Sequence, residues 1–428
     1  MRKMRDSGID WIGTIPQDWE IVRTKSLYCS AKEIAGDRAD DFERLALTLN
    51  GVIKRSKEDS VGLQPEKFSG YQILKKGELV FKLIDLENVA TSRVGLSPYT
   101  GIVSPAYIVL SKQSRAKDLV VRYSMYHFLS MWQREIFNQM GDNGVRSSLN
   151  AKELLNIPHP FPSIYEQKRI VTFLDAQCAE IDAVLEKTHA SIEEYKKLKQ
   201  AIITQAVTKG IRGDRPMKDS GIEWIGDIPA EWDVIRVKQL LKERNERSKE
   251  GKEEPLSMSQ KVGLVPTKFL ESIPNMASSF VGAKLAYVDD LVFNKLKAHL
   301  GVFSVSRYDG LVSPDYAVYC STGKSNLKYL EYIFKTPQCI GEFRKKSTGI
   351  AAGLMRLYTE GLFSIYLPYP ALSEQEEIAE YLNEKCAGID ALIAKKHQYL
   401  TEIENYKKSL IYEYVTGKKE VKTSVLAD

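Results

Sequence analysis

Residues 4–23 read MRDSGIDWIGTIPQDWEIVR and residues 217–236 read MKDSGIEWIGDIPAEWDVIR, with 12 of 20 positions identical at an offset of 213. Two later pairs of segments repeat in the same order, residues 102–110 with 311–319 and residues 164–185 with 372–393, at offsets of 209 and 208. Such a period far exceeds the roughly 20 to 50 residues of solenoid repeats, so each copy has the size of a domain. The 428 residues therefore form two related units in tandem, and we expect a pseudo-twofold molecule.

The end of each unit predicts a long helix, because apolar residues recur there in alternating steps of four and three without an intervening proline. The first apolar seam consists of Leu174, Cys178, Ile181, Leu185, Ile192, Tyr195 and Ile202. The second, shifted by 208 residues, consists of Leu382, Cys386, Ile389, Ile393, Leu400, Ile403 and Leu410. The patterns predict helices over residues 166–208 and 374–416, each about 65 Å long and followed by a glycine. Ser373 and Glu376 predict a capping box for the second helix.

The two predicted helices are expected to pair with each other in an antiparallel arrangement. A helix of that length cannot bury one apolar stripe against a small globule over its whole length. Both seams are interrupted at matching places, at Thr188 and Lys199 in the first and at Lys396 and Lys407 in the second. The alternative is two separate helices, each docked on its own domain. The matching interruptions indicate a shared register and favour pairing.

The remainder of each unit predicts a mixed α/β (α+β) globule. Short strands are predicted at residues 78–81, 102–103, 107–110, 290–293 and 311–312, and helices at residues 117–140 and 327–343. The predicted architecture is two pseudo-twofold-related globular domains joined by two long antiparallel helices that form a coiled-coil-like spacer. Its expected segments are residues 1–163, 164–213, 214–371, 372–417 and a flexible tail, 418–428. Four tryptophans of the repeated openings, Trp11, Trp19, Trp224 and Trp232, are expected to pack each opening onto its globule or helix end.

Composition and motifs argue against most enzymatic classes. The sequence has no phosphate loop, no glycine-rich dinucleotide fingerprint, no H-E-x-x-H and no G-x-S-x-G, and its five cysteines are scattered. Pro314-Asp315 and Pro65-Glu66 match a nuclease motif poorly. We expect neither catalytic residues nor a metal site. The chain also lacks a run of about 18 apolar residues and an apolar segment near Met1, so we expect a cytoplasmic protein without a membrane span.

The motifs together resemble the specificity subunit of type I restriction-modification enzymes. The resemblance rests on the repeated opening at residues 7–19 and 220–232, on Ser104-Pro105 and Ser313-Pro314, and on the Glu-Gln-x-x-Ile…Ile-Asp helices. It spans residues 4 to about 418, and Val415-Thr416-Gly417-Lys418 also resembles the usual end of the helical region. Residues 37–59 and 243–259 have no convincing counterpart in the other copy, so a shared frame surrounds regions that differ.

The resemblance implies two target recognition domains, each of which reads one half of an asymmetric bipartite sequence in double-stranded DNA. The helices would fix the gap between the half-sites and dock two modification subunits. Those methyltransferase subunits would carry S-adenosylmethionine, and ATP-dependent restriction subunits would join the complex with Mg²⁺. The chain itself would bind no cofactor and catalyse nothing. The alternatives are a two-lobed protein–protein scaffold and a single-chain nuclease or methylase.

Basic, glycine-rich loops in the variable regions are the candidate DNA contacts, because Arg, Lys and Asn supply most base-edge and phosphate contacts. The candidates in the first unit are Lys54, Arg55, Lys57, Arg93, Asn143, Arg146 and Ser147. Those in the second unit are Lys261, Lys268, Lys295, Lys297, Arg307, Arg344, Lys345 and Lys346. Residues 344–346 are the foremost phosphate candidate, because a triple positive charge precedes a Ser-Thr-Gly turn with backbone N–H donors. For any one of these residues, the alternative is an ordinary solvated side chain.

Overall fold

The computed structural model describes residues 2–49, 51–59, 67–84, 86, 93–140, 148–259, 262–270, 280–349 and 355–422. The chain divides into two compact units. Unit 1 comprises residues 1–188 and 397–428, and unit 2 comprises residues 189–396. Two long helices, α5 (Ile164–Lys209) and α9 (Leu372–Val415), each contribute one half to each unit. Among the described residues, no helix is both long and apolar enough to cross a membrane.

Unit 1 packs small β-sheets against short helices. Its strands are β1 (Met4–Asp6), β2 (Thr14–Pro16), β3 (Glu20–Arg23), β4 (Tyr28–Cys29), β5 (Arg44–Thr48), β6 (Gly51–Arg55), β7 (Gln72–Leu74), β8 (Leu79–Phe81), β9 (Val94–Leu96), β10 (Gly101–Val103), β11 (Ile108–Lys112) and β12 (Pro158–Phe161). Its short helices are α1 (Thr24–Leu27), α2 (Val121–Gln133), α3 (Ile136–Met140) and α4 (Ala151–Asn156), with 3₁₀ turns at Gly36–Asp41 and Phe68–Gly70. The sheets have the strand orders β6-β5-β10-β7, β4-β11-β8-β9, β1-β2 and β12-β3. Among the described strand pairs of this unit, β5 with β10 is parallel and the others are antiparallel.

Unit 2 repeats this organisation. Its strands are β13 (Met217–Asp219), β14 (Asp227–Pro229), β15 (Asp233–Arg236), β16 (Leu241–Arg244), β17 (Leu256–Ser259), β18 (Gly263–Pro266), β19 (Lys284–Ala286), β20 (Leu291–Asn294), β21 (Phe303–Val305), β22 (Gly310–Val312), β23 (Tyr316–Ser321) and β24 (Tyr366–Tyr369). Its short helices are α6 (Leu327–Phe334), α7 (Pro337–Lys346) and α8 (Thr359–Phe363), with 3₁₀ turns at Val237–Gln239, Thr267–Phe269 and Ala298–Leu300. The strand orders are β16-β23-β20-β21, β13-β14, β15-β24, β17-β18 and β19-β22.

The duplication extends to a close backbone contact. Gly101 begins β10 and Gly310 begins β22. A Cβ atom would lie 2.5 Å from the Glu43 carbonyl oxygen at Gly101 and 2.2 Å from that of Glu254 at Gly310, so both positions require glycine. The residue after each glycine donates its N–H to the same carbonyl, at 2.9 and 2.8 Å respectively. Both units therefore build the same junction from sequences that otherwise differ.

The structure confirms the mixed α/β fold class and both long helices. The cap predicted for the second helix is wrong, because α9 begins at Leu372 and Ser373 already lies in its first turn. The first helix has a cap that the sequence reading missed, since the Ser163 hydroxyl accepts the Glu166 N–H at 3.3 Å. These starts matter because the first turn of each long helix holds the opening segment of its unit.

Each of the two shorter helices predicted in the globules is divided. The stretch 117–140 forms α2 and α3, and the chain turns between them at Glu135, whose φ is +57°. The stretch 327–343 forms α6 and α7, and Pro337 begins the second of these. The Thr336 hydroxyl caps α7 by accepting the Cys339 N–H at 3.3 Å. Apolar spacing continued across both turns, so periodicity alone did not locate them.

Unit 1 buries two neighbouring histidines that unit 2 lacks. His127 and His159 are 1% and 0% exposed, and their ring centroids lie 4.4 Å apart. His159 Nδ1 lies 2.7 Å from the Pro160 carbonyl oxygen, and its Nε2 lies 2.9 Å from Ser124 Oγ. Burial lowers the pKa of His159 to about 4 and the pKa of His127 well below its ordinary value.

The corresponding positions of unit 2 are apolar. Tyr123 and Tyr329 mark the correspondence, because their hydroxyls bind the Pro160 and Pro368 carbonyls in the two units. Counted from these tyrosines and from the first residues of β12 and β24, His127 corresponds to Ile333 and His159 to Leu367. Unit 2 therefore serves as an internal reference for the histidine pair.

We expect acid to destabilise unit 1 more than unit 2. The folded-state pKa of His159 lies below 6.5, so the unfolded chain takes up the proton first, and the free energy of unfolding falls as pH decreases from about 6.5 to about 4. At pH 5 the loss should be about 2 kcal/mol for this histidine. Amide hydrogen exchange at pH 7 and pH 5 would measure both units in one sample. The double variant His127→Ile, His159→Leu should remove the difference, and equal acid sensitivity of the two wild-type units would refute the prediction.

Candidate nucleic-acid interface

A tryptophan–carboxylate contact fixes each opening segment to the start of a long helix. In unit 1, Trp19 Nε1 donates to Glu166 Oε2 at 2.8 Å, and Arg2 forms an ion pair with the same carboxylate. Glu166 lies in the first turn of α5, where the positive end of the helix dipole also favours a carboxylate. Trp19 is 1% exposed. The opening is therefore held to the helix by a buried side chain and a charged pair.

Unit 2 repeats the same contact. Trp232 Nε1 donates to Glu374 Oε2 at 2.9 Å, and Arg215 Nη1 lies 2.7 Å from Glu374 Oε1. Trp232 is also 1% exposed. Trp19 and Trp232 thus pack their openings against the helix starts, as the sequence indicated. The frame that carries each variable surface is the same in both units.

The helix seams lie in the cores of the two units. All fourteen seam residues are buried or half-buried. In unit 1, Leu174, Cys178 and Ile181 of α5 share an apolar cluster with Leu410 and other residues of α9. In unit 2, Leu382 and Cys386 of α9 share a cluster with Ile203 and its neighbours on α5. Each unit therefore packs half of one long helix on half of the other.

Charged pairs explain two of the interruptions in the seams. Lys407 Nζ lies 2.5 Å from Asp182 Oδ1 in unit 1, and Lys199 Nζ lies 2.6 Å from Asp390 Oδ2 in unit 2. Both members of one pair are offset by 208 residues from those of the other. These lysines join α5 to α9. A second contact shows that the helices are antiparallel within each unit, since Phe173 packs on Tyr414 in unit 1 and Tyr195 lies beside Lys396 in unit 2. Lys396 lies with its Nζ 5.6 Å from the centre of the Tyr195 ring.

The candidate cations of unit 1 are surrounded by acidic groups. Lys54, Arg55 and Lys57 lie along a shallow cleft that acidic residues also line. The ion pairs are Lys54 with Glu43 at 2.5 Å, Arg55 with Asp59 at 2.7 Å, and Lys57 with Asp40 at 3.3 Å. This surface carries mixed charge, so it offers a duplex less attraction than the sequence suggested.

Of the other unit 1 candidates, Arg93 is buried and three lie outside the described residues. Arg93 is 0% exposed, and its Nη1 donates to the Ile84 carbonyl at 3.2 Å. A buried guanidinium cannot reach a base edge or a phosphate, which corrects its selection as a surface contact. Asn143, Arg146 and Ser147 lie outside the described residues.

In unit 2, four candidates lie apart from the main basic surface or outside the described residues. Lys268 pairs with Glu254 at 3.0 Å, and Lys345 pairs with Glu342 at 2.7 Å. Arg307 is exposed beside a cleft between the mixed α/β globule of unit 2 and its segments of α5 and α9. Lys261 lies outside the described residues.

The other candidates of unit 2 meet on one surface, which we call the basic rim. It consists of Lys295, Lys297, Arg344, Lys346 and the additional residue Arg356. The loop after β20 contacts the end of α7, where Arg344 Nε donates to the His299 carbonyl at 3.4 Å. The residue after Arg356, Leu357, donates its N–H to the Lys295 carbonyl at 3.0 Å. Within the part of the chain that the structure describes, Lys297 and Lys346 form no ion pair.

The backbone near residues 344–348 is not the anion-binding turn that the sequence suggested. The Ser347 N–H donates to the Arg344 carbonyl at 3.3 Å, and the Thr348 N–H donates to the Arg356 carbonyl at 3.0 Å. Arg344 and Lys346 lie in the last turn of α7, where carbonyl groups and the negative end of the helix dipole stabilise cations. An anion would meet side-chain charges here but no free backbone donors from Ser347 or Thr348.

Arg356 was not among the candidates, although the repeat contained a signal for it. The candidates Asn143, Arg146 and Ser147 of the first copy directly precede Ser148, and an offset of 208 places Ser148 opposite Arg356. The structure supports this correspondence. Leu149 donates its N–H to the Leu83 carbonyl at 3.0 Å, as Leu357 does to Lys295. The same short contact therefore supports both loops.

The Ser-Pro motifs end one strand in each unit. Ser104-Pro105 follows β10 and Ser313-Pro314 follows β22. In each case the Ser carbonyl accepts the N–H of a tyrosine three residues later, at 3.1 Å for Tyr107 and 2.9 Å for Tyr316. The turns are part of the shared frame. The side chains that they present differ, with Ala106 in unit 1 and Asp315 in unit 2.

Among the described residues, no group of three or more His, Cys, Asp or Glu side chains is arranged to hold a metal ion. In both units, shared buried contacts support exposed charged side chains that differ between the units.

Duplicated mixed α/β units that share two long helices are the fold of type I restriction-modification specificity subunits. The chain superposes with a TM-score of 0.70, at 13% identity, on a chain from a structure of type I restriction-modification complex assembly and conformational transition, covering 95% of this chain and 99% of that one. The HsdS subunit from Thermoanaerobacter tengcongensis gives a TM-score of 0.51 at 14% identity, with 97% and 100% covered. These likenesses agree with the predicted architecture.

The sequence has relatives of the same kind. It is 24% identical to the type I restriction enzyme MjaVIII specificity subunit of Methanocaldococcus jannaschii, over 95% of this chain and 94% of that protein. It is 25% identical to the putative MjaX specificity subunit of the same organism, over 96% of each. No family model matches the chain. The chain is a homologue of type I restriction enzyme specificity subunits, as its motifs predicted.

Proposed function

We propose that the chain is the DNA sequence-specificity subunit of a type I restriction-modification enzyme that works in the cytosol. Unit 1 and unit 2 would each bind one half of an asymmetric bipartite target, and the helices would fix the gap between the halves. The observation that carries this proposal is the shared frame with unlike exposed side chains, exemplified by Ser148 and Arg356 at one position. Two equal frames with unequal surfaces suit a target whose halves differ.

The basic rim supports DNA over the protein–protein scaffold considered as an alternative, and the homologous specificity subunits also disfavour the scaffold. Lys297, Arg344 and Lys346 are exposed on adjoining elements, which suits contacts with successive phosphates. We further propose that the chain binds no cofactor and is not itself a catalyst. S-adenosylmethionine, ATP and Mg²⁺ would then serve the modification and restriction subunits.

The long helices offer matched positions for two modification subunits. Val184 and Tyr406 in unit 1 are 37% and 52% exposed, and lie within two residues of the Lys407–Asp182 ion pair. In unit 2, Leu198 and Leu392 are 48% and 44% exposed, and lie within two residues of the Lys199–Asp390 pair. An offset of 208 relates Val184 to Leu392 and Leu198 to Tyr406. Two equivalent apolar positions suit two copies of one partner.

The direct test is to sequence DNA methylation in the source cell and in a strain without this gene. We expect one asymmetric, two-part, adenine-methylated motif in the wild type and its loss in the deletion strain. Restoring the gene should restore the motif. If the methylation pattern does not change on deletion, or if the purified chain alone methylates or cuts DNA, the assignment is wrong.

Removing rim cations should reduce the salt dependence of duplex binding. For each phosphate that the protein no longer neutralises, the slope of log K against log salt concentration becomes shallower by about 0.9, so Lys297→Ala with Lys346→Ala should reduce it by about 2. Titrations of the assembled complex at several salt concentrations measure the slope. Lys268→Ala is the matched control, because Lys268 already pairs with Glu254. An unchanged slope in the double variant would count against DNA contact at the rim.

Polar substitution of the two exposed apolar helix residues of one unit should remove one modification subunit. Leu198→Ser with Leu392→Ser exposes no core residue, and the removal of two apolar side chains should weaken docking about tenfold or more. Native mass spectrometry should then find complexes with one modification subunit where the wild type has two. Val184→Ser with Tyr406→Ser should give the same result, whereas Lys187→Ala, on the same helix, should not. Full occupancy in both double variants would contradict these docking positions.

A further inference from the structure

An exposed ion pair joins Arg356 of the basic rim to Asp315 in unit 2. Arg356 Nη2 lies 3.3 Å from Asp315 Oδ1, and the two side chains are 42% and 48% exposed. Asp315 follows the Ser313-Pro314 turn, and Arg356 begins the segment that contacts Lys295. The pair therefore joins the turn after β22 to the segment that begins at Arg356, on the solvent side of unit 2.

The backbone on both sides of this pair is well fixed. Arg356 exchanges two backbone hydrogen bonds with Thr348, at 2.9 and 3.0 Å. The Asp315 N–H donates to Ser313 Oγ at 3.3 Å, and the Asp315 carbonyl accepts the Lys295 N–H at 3.3 Å. The guanidinium is thus attached to a segment held by backbone hydrogen bonds and paired with a carboxylate on a second such segment. Such preorganisation lowers the entropy that a binding side chain loses.

The guanidinium retains donors for a second partner. An arginine carries five N–H donors in a planar fork, and the Asp315 contact involves Nη2. Within the described part of the chain, the Arg356 side chain forms this ion pair and donates no hydrogen bond. In the major groove, the N7 and O6 acceptors of guanine match two parallel donors of an arginine, and this is the commonest specific base contact.

Unit 1 lacks both members of the pair. The position of Arg356 is occupied by Ser148, and that of Asp315 by Ala106. The supporting contacts are nevertheless duplicated, as described for Leu149 and Leu357. The pair is therefore not a requirement of the frame, since the same frame forms without it in unit 1. It is a feature that distinguishes the surface of one unit from that of the other.

Building on the proposed function, we propose that Arg356, oriented by Asp315, reads a guanine in the half-site bound by unit 2. Two guanidinium N–H groups would donate to O6 and N7 of that base. The neighbouring Lys297, Arg344 and Lys346 would contact phosphates on either side and place the arginine in the groove. Unit 1, with Ser148 and Ala106, would make no such contact.

The experiment uses the full chain assembled with its modification subunits and duplexes that carry the wild-type motif or each single-base change. A photocrosslinking amino acid introduced at Lys297 first identifies the half-site bound by unit 2. The wild-type complex should prefer a G·C pair at one position of that half-site by about tenfold or more. The variant Arg356→Lys retains the positive charge and the partner of Asp315 but lacks the bidentate fork. It should lower the preference at that position to about threefold or less and leave every other position unchanged.

Three measurements separate base reading from a structural role. Arg356→Gln and Arg356→Lys should unfold at the wild-type temperature, because an exposed ion pair contributes little to stability. Arg344→Gln should weaken binding to all duplexes equally, as expected for a phosphate contact. Asp315→Asn should reduce the guanine preference without abolishing duplex binding.

The inference is overturned if the half-site of unit 2 contains no G·C pair, if Arg356→Lys keeps the wild-type preference, or if it weakens all duplexes alike. Those outcomes leave the specificity function intact, since the wild-type complex would still select a bipartite motif. A wild-type complex without any sequence preference would instead remove the proposed function itself.

Discussion

The structure depends on the need of two long helices to cover their apolar seams. The helix α5 has 46 residues and α9 has 44. The globule of one unit is too short to cover the apolar seam of either helix over its whole length. In each unit, half of one helix packs on half of the other, and the lysine–aspartate pairs join the two antiparallel helices. Because every unit needs both helices, neither copy of the repeat is complete without residues from the other copy.

The helices also determine where the variable surfaces can lie. The first turn of each long helix supplies a glutamate, and a buried tryptophan from the opening segment binds it. A buried indole N–H needs a partner, so replacing the glutamate would leave an unsatisfied donor in the core, whereas replacing the tryptophan would leave a cavity. This contact fixes the opening segment of each unit, with the strands that pair with it, against the first turn of a long helix. The exposed loops can then change in sequence while their support stays the same.

Sequence patterns identified this frame because it obeys simple periodic rules. The repeat, the seams and the helix ends follow from spacing, and the tryptophans were correctly placed in the frame. The surface was harder to predict. Arg93 looks like a basic loop residue in the sequence, but tertiary packing buries it. The N–H groups of Ser347 and Thr348 are used by local backbone contacts that no composition rule shows. Arg356 stands in an apolar stretch, and although the repeat aligns it with Ser148, its ion pair with Asp315 is visible only in the folded chain.

These differences indicate how the two surfaces could diverge at low cost. The side chains of Arg356 and Asp315 are about half exposed, and each occupies a position whose counterpart is a small residue in unit 1. Replacing such side chains opens no cavity and leaves no buried polar group, so stability changes little. The buried frame residues have no such freedom, since Gly101 and Gly310 accept no Cβ and the tryptophans fill the core. Sequence changes can therefore accumulate on the exposed rim of one unit without altering the buried residues of the shared frame.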